Sequence, residues 1–588
     1  MFFYLNYRHN AGSKVKIKQI KTEDNLSTPE DNILYLRKDI QRFESPDTLN
    51  GELIILGDPV FQRKSGLNRI AFLTPNEMRE DLLYEEIKGH YYWFFFHAEG
   101  MHCGSSFGAI FPVYYHCQHD RTIVSSSSFF LAEQIGAHQR DKRNLLERLL
   151  FNYTFFDSTW WQEIKLLDAH SHLRFAGNAT FVEQKFDLTN YFETAVDISR
   201  GSLQQLSYLF EEETSLFLPD EPFGVSLTGG FDGRTLVAAA KKTGKEFITY
   251  SFGKPGISDV SVPNAQSKKL GVPYVPILLD QVYLKSDAVS SARAFMEQTE
   301  FNGNFGRPHY HYAARLLAKR VPYIITGNFG SELFRAMHSP GVMISRPLIQ
   351  IFSASDDSWK DDLKNHKNTW GEAYFNQELD SLIADLESYL GRMQGWDMNL
   401  KFYYFVYNEI FRKYFGPELI MQSHYLNNRT PYLNLKFIKE LNKTIWSGIH
   451  ARIFEKMLNK RMKGQMFYSS FIRLSNRKMY HLKTNKGYSP ADVLEPWRLP
   501  ILVGRVVLKK YIKNEESDNN AVEQFFIQNH KKISCQILSS CECPFIQSQI
   551  ERSVQDITRK NNLEHWIKFY SIASGWEAAN TPSMDLIK

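Results

Sequence analysis

Along roughly the first 185 residues, short apolar, aromatic and β-branched runs recur at 53–56, 91–96, 109–115, 122–125 and 173–175. Gly, Pro, Asp and His separate them, and runs of this length with such breakers predict strands. One helical stretch, 144–151, lies between them. The expectation for this part is an α+β layered domain. Near 185–200 the pattern changes. Residues 202–217 carry apolar side chains at helical spacing. Apolar runs at 224–227, 247–252, 274–279 and 323–326 then alternate with helical stretches at 236–243, 260–270 and 310–319. Such alternation predicts a parallel sheet covered on both faces. Ligands of these sheets bind at the carboxyl ends of the strands. From 380 to 480 the periodicity is helical. Residues 500–588 hold helical stretches interrupted at 514–520, with no role legible in them, and no internal repeat is present.

Composition narrows the class. At roughly 100–200 residues per domain, 588 residues suggest several domains. With 43% hydrophobic and 23% charged residues the chain has the balance of an ordered globular protein, and 44 Phe and 30 Tyr imply well-filled cores. A net charge of +5 is too small for a nucleic-acid partner. The one basic run, 505–513, interleaves Lys with Val, Leu and Ile and reads as a solvated amphipathic face. Five cysteines, odd in number and sparse, fit a reducing compartment, and Cys541-Glu-Cys543 with Cys535 and His530 matches no common zinc spacing. The start lacks the pattern of a signal peptide, and no apolar stretch reaches membrane-spanning length, so a cytoplasmic protein without a membrane partner is expected. Gly104-Ser105-Ser106-Phe107-Gly108 has the spacing of a hydrolase elbow, but a predicted strand rather than a helix follows it. His309-Tyr-His311 and His116–His119 lack the i, i+4 pairing of helical metal sites.

The segment that points to chemistry is Val225-Ser226-Leu227-Thr228-Gly229-Gly230-Phe231-Asp232-Gly233-Arg234-Thr235, between a predicted strand and a predicted helix. Paired glycines permit positive φ and close backbone approach to a ligand. The helix start offers free N–H groups and the positive end of a dipole, which suits pyrophosphate. Ser226 and Thr228 supply hydroxyls, and Arg234 supplies charge. Asp232 would repel phosphate unless a cation lay between them, which makes it a Mg²⁺ ligand. This is not a kinase-type P-loop, since no Gly-x-x-x-x-Gly-Lys-Ser/Thr occurs.

The loop resembles the Ser-Gly-Gly-x-Asp-Ser motif of the ATP pyrophosphatase (PP-loop) superfamily, specifically the asparagine synthetase family. Further stretches fit that family in order: Tyr250-Ser251-Phe252-Gly253; Ser258-Asp259 before a helix ending at Gly271; Ile325-Thr326-Gly327-Asn328-Phe329-Gly330-Ser331-Glu332-Leu333-Phe334; Asn428-Arg429-Thr430-Pro431-Tyr432-Leu433; and Thr484-Asn485-Lys486-Gly487-Tyr488. Ile164–His170 resembles the close of the family's glutaminase domain, so the resemblance covers roughly 50–495. It implies an α/β chain. An N-terminal α+β, Ntn-type domain resembling a degenerate class II amidotransferase would span 1–190. A doubly wound parallel-sheet synthetase domain would span 191–500, with a helical extension at 501–588.

It further implies ATP and Mg²⁺. Nucleotide contacts are expected from Ser226, Leu227, Thr228, Gly229, Gly230, Gly233, Arg234, Thr235, Ser251, Phe252, Gly253, Thr326 and Gly327. Metal contacts are expected from Asp232 and Ser331. Catalytic roles fall to Asp232, Glu332 and Lys486, with Lys483 the alternative lysine, and Glu332 equally serves as a helix-start residue. The expected reaction activates a small-molecule or peptide carboxylate and joins it to ammonia or another amine. A homodimer is compatible. Four departures bear on this. Phe2 stands where glutamine-dependent members carry a nucleophilic cysteine, so no glutaminase activity is expected. Ser331 replaces an aspartate, Asn328 a glutamate and Gly233 a serine. They leave open a tailoring ligase or cyclase acting on a peptide, sugar-acid or natural-product precursor, and a non-catalytic ATP-binding protein.

Overall fold

The computed structural model describes the chain except residues 10–14, 22–29, 38–39, 45–50, 63–79, 178, 185, 193–195, 335–342, 355, 368–373, 452–462, 499, 501, 506–519, 539–540, 542 and 581–588. Most of the basic run and of the 514–520 interruption therefore lies outside the described residues.

The architecture is mixed α/β. Two six-stranded sheets occupy the first part of the chain. One runs, in spatial order, Lys165–Leu166, Tyr114–Cys117, Arg121–Ser125, Phe2–Arg8, Ile33–Arg37, Lys16–Ile20. The other runs Ala179–Gln184, Ser171–Ala176, Gly100–Ser105, Ile87–His97, Glu52–Phe61, Ile40–Glu44, and is antiparallel throughout. Alternate side chains of the two sheets meet in a common core, where the Phe3 ring lies 4.8 Å from Tyr92 and 5.1 Å from Phe94. The run at 109–115 is not the strand its composition predicts. Ala109 takes a positive φ of 46° and Pro112 removes a ladder donor, so most of it is a loop whose Ile110, Phe111 and Val113 still fill the core.

The third sheet is parallel, in the order Tyr274–Leu278, Phe247–Gly253, Phe223–Ser226, Tyr323–Ile325, Asn427–Arg429. The first strand in sequence is therefore central. Successive crossovers run to one side of it and then to the other, which is the doubly wound arrangement. Four of the five strands carry the apolar signal. The fifth, Asn427-Asn428-Arg429, has none, because it is a polar edge strand. Arg429 instead reaches out of the sheet and grips Asp58 of the preceding part with both carboxylate oxygens, at 2.7 and 2.8 Å.

The C-terminal helices Asn520–Leu538, Pro544–Gln555 and Lys560–Ala578 are not an appendage. Trp161 donates to the Ala579 carbonyl (3.2 Å), Arg140 lies 4.3 Å over the Trp576 ring, and Tyr570 packs on Phe305 at 4.4 Å. One continuous apolar core thus takes residues from all three expected regions. No helix among the described residues is long and apolar enough to cross a membrane.

Candidate active site

The central strand Phe223–Ser226 and its neighbour Tyr323–Ile325 end side by side, and their following segments turn away in opposite directions. A cleft of about 320 Å³ opens there, at the switch point of the sheet. One wall is Ser226, Thr228, Asp232 and Gly233; the facing wall is Thr326, Gly327, Ser331 and Glu332. Small residues let the two loops approach. A Cβ on Gly327 would stand 2.8 Å from Asp232 Cβ. Across that gap Ser331 Oγ donates to Asp232 Oδ2 at 2.8 Å. The predicted metal pair is thus brought together, with Asp232 opening the helix Asp232–Thr243 and Ser331 in the short helix Gly330–Phe334.

The glycines of the loop act differently from expectation. Neither Gly229 nor Gly230 has positive φ. Gly229 is needed because Asn485 lies on it: an added Cβ would meet the Asn485 side chain at 2.4 Å, and Asn485 N–H donates to the Gly229 carbonyl at 3.2 Å. Gly230 N–H donates to Thr228 Oγ1 at 3.3 Å. The segment carrying Lys486 is therefore seated on Gly229, with Lys486 itself exposed and outside the cleft lining. Gly233 is needed for helix–strand packing, since a Cβ there would lie 2.2 Å from the Ser226 carbonyl oxygen. Gly233→Ala is accordingly expected to destabilise the fold by about 1–3 kcal/mol through forced backbone shifts, read by denaturant unfolding. A neutral result would mean that the helix start yields freely.

Several predicted contacts face elsewhere. Arg234 is fully buried, and its guanidinium donates to the carbonyls of Leu482 (2.9 Å) and Lys483 (2.7 Å). It ties the late segment to the helix. Thr235 donates back to the Phe231 carbonyl within its helix, and Leu227 is core. Ser251 is engaged with the Asp259 carbonyl and the Tyr274 hydroxyl, both at 2.7 Å. Gly253 packs against Ile257, where a Cβ would stand 2.5 Å from Cδ1. Phe252 does line the cleft, 5.0 Å from the His309 ring. Thr326 lines it as well, although its hydroxyl bonds Asn428 at 2.8 Å.

The structure also supplies residues that no motif announced. The far end of the cleft holds Arg307, Tyr310, Tyr414, Glu418 and Gln422. Tyr414 belongs to a π-helical stretch, Val406–Phe415, which runs into the helix Gly416–Ser423 bearing Glu418. Such stretches recur at functional sites because they re-aim side chains. Arg307 lies 4.5 Å over the Tyr414 ring and donates to its hydroxyl. Burial pushes the Glu418 carboxyl up to about 7, partly offset by Arg307 and by hydrogen bonds with Asn328, Tyr310 and Gln422. A carboxyl in this range, in a cleft, is suited to taking up a proton. The only sequence signal was Glu at a helical position between apolar residues, which ordinarily marks a solvated face.

No protein-family model matches the chain, and no curated protein matches it either. Among solved structures the chain is similar to a glutamine phosphoribosylpyrophosphate (PRPP) amidotransferase from B. subtilis complexed with ADP and GMP. The identity is 10% and the TM-score 0.17, with 40% of this chain covered. The match spans 47% of that chain, about half its length. A likeness this weak carries no argument, so the reading of the cleft rests on its own residues.

Proposed function

We propose that this chain is an ATP-dependent amide ligase of the asparagine synthetase type, forming AMP and pyrophosphate, with the cleft at the sheet switch point as its site. The observation that carries the reading is the pairing of Asp232 with Ser331 across two loops, at a helix start, in a motif resembling a pyrophosphate loop. Ser226, Thr228 and the helix start at Asp232-Gly233 hold the phosphates of ATP. Asp232 and Ser331, as hard oxygen donors, would hold a Mg²⁺ ion, which would supply charge screening for the phosphates. Phe252 offers an apolar face to the adenine.

A substrate carboxylate oxygen attacks the α-phosphorus; the bond to the β-phosphate oxygen breaks and pyrophosphate leaves. Lys486, on the segment seated over Gly229, meets the charge that builds on the leaving group. Arg307 orients the acid. A nitrogen nucleophile then attacks the acyl carbon and passes a proton to Glu418 as AMP departs. The nitrogen does not come from glutamine hydrolysed by this chain. Phe2 is a buried ring packed edge-on against Phe130 at 5.1 Å, beneath the Arg37 guanidinium, and brings no nucleophile.

The test is carboxylate-dependent ATP–pyrophosphate exchange with Mg²⁺ and a panel of acids that includes L-aspartate, amino acids, sugar acids and peptides. Exchange with one class names the acid partner and separates primary asparagine formation from a tailoring reaction. ATP binding without exchange for any acid would replace this reading with a nucleotide-binding protein that has lost the chemistry.

A further inference from the structure

Away from the cleft, three potential metal ligands converge on the second sheet. His102, His172 and Glu183 each offer a donor atom, and these atoms all lie within 4.8 Å of one another. The sheet register brings them together. His172 stands directly opposite Glu183. His102 stands opposite Arg174, and so is the diagonal neighbour of His172 on the same face. That face is the one carrying Trp93 and Phe95, whereas Cys103 and Leu173 point into the main core. The three ligands therefore come from three adjacent strands, the outermost being the edge strand Ala179–Gln184.

We infer that His102, His172 and Glu183 form a structural site for a divalent transition metal, with Zn²⁺ the best match. Three observations support it. Both imidazoles are buried, at 1% and 0% exposure, so bulk water does not compete for their nitrogens. His172 Nε2 and Glu183 Oε2 are 3.5 Å apart. Ligands about 2.0–2.2 Å from a tetrahedral ion stand at about that spacing, so only a modest closure of the third donor is needed. Arg174 Nε donates to Glu183 Oε1 at 2.5 Å, which fixes the carboxylate and aims its other oxygen at His172. The mixed imidazole–carboxylate set suits Zn²⁺ better than Ca²⁺ or Mg²⁺, which take all-oxygen shells. With three donors from the chain, a water molecule would complete the four-coordinate shell. An ion here pins the edge strand to the two strands inside it.

The experiment uses the full-length protein, dialysed against EDTA and then titrated with Zn²⁺ by calorimetry, with thermal unfolding in parallel. One equivalent should bind and raise Tm by several degrees. Glu183→Gln and His172→Asn should abolish that equivalent, with folding checked by circular dichroism. Co²⁺ added to the unmodified protein should give a tetrahedral d–d spectrum, a readout that no variant's folding affects. Sub-stoichiometric binding, an octahedral Co²⁺ spectrum, or one equivalent retained by a folded Glu183→Gln would each overturn the assignment.

Discussion

Asp232→Ala is expected to reduce carboxylate-dependent ATP–pyrophosphate exchange by about 10²–10³-fold while leaving the protein folded. Two roles for this side chain make opposite forecasts. As a carboxylate in the first turn of the helix Asp232–Thr243, it would favour the helix dipole by roughly 0.3–1 kcal/mol, and its loss would appear as a small drop in stability with exchange intact. As a metal ligand beside the phosphates, it matters chiefly when negative charge develops, and its loss would appear in rate. Ser331→Ala grades the same argument. It removes the 2.8 Å bond across the two loops but no charge, so exchange should fall by about tenfold, the worth of roughly 1.4 kcal/mol of lost positioning.

Glu418→Gln separates the two halves of the reaction. Exchange reports only acid activation and should stay within a few-fold of the unmodified protein. Amide formation, measured as product per AMP, should fall by about 10²–10³-fold, the usual weight of a positioned base. A variant that lost both activities equally would make Glu418 a residue of the cleft's shape instead. The same substitution has a pH signature. The folded protein holds the Glu418 proton up to about pH 7, against an ordinary value of 4.5. Between those values the folded state binds more protons than the unfolded chain. The stabilisation from this group is therefore complete below pH 4.5 and is lost as pH rises through 7, by up to about 3 kcal/mol. Glu418→Gln should flatten the stability profile across that window, as followed by denaturant unfolding at fixed ionic strength.

What could be read from the chain was what is local. The loop 226–235 declares itself because strand, glycine pair and helix start are contiguous, and the parallel sheet follows from strand–helix alternation. What could not be read depends on contacts between distant segments. Arg234 has the composition of a phosphate ligand, yet carbonyls about 250 positions away claim its guanidinium. Gly229 looks like a residue chosen for positive φ and is instead chosen for Asn485. The edge strand Asn427–Arg429 has no apolar signal because it is held by its neighbour and by Asp58. Glu418 is marked only by its contacts with Arg307 and Asn328 from distant segments, which no local pattern announces. The C-terminal helices carried no motif, since their role is to complete a core whose other half begins at residue 2.

The most direct test of the central claim is a crystal structure with Mg²⁺ and the α,β-methylene analogue of ATP. The triphosphate should lie in the cleft between the 226–233 and 326–332 segments, against Ser226 and Thr228. Asp232 and Ser331 should be the residues that hold the Mg²⁺. Nucleotide bound elsewhere, or none at saturating analogue, would contradict that claim.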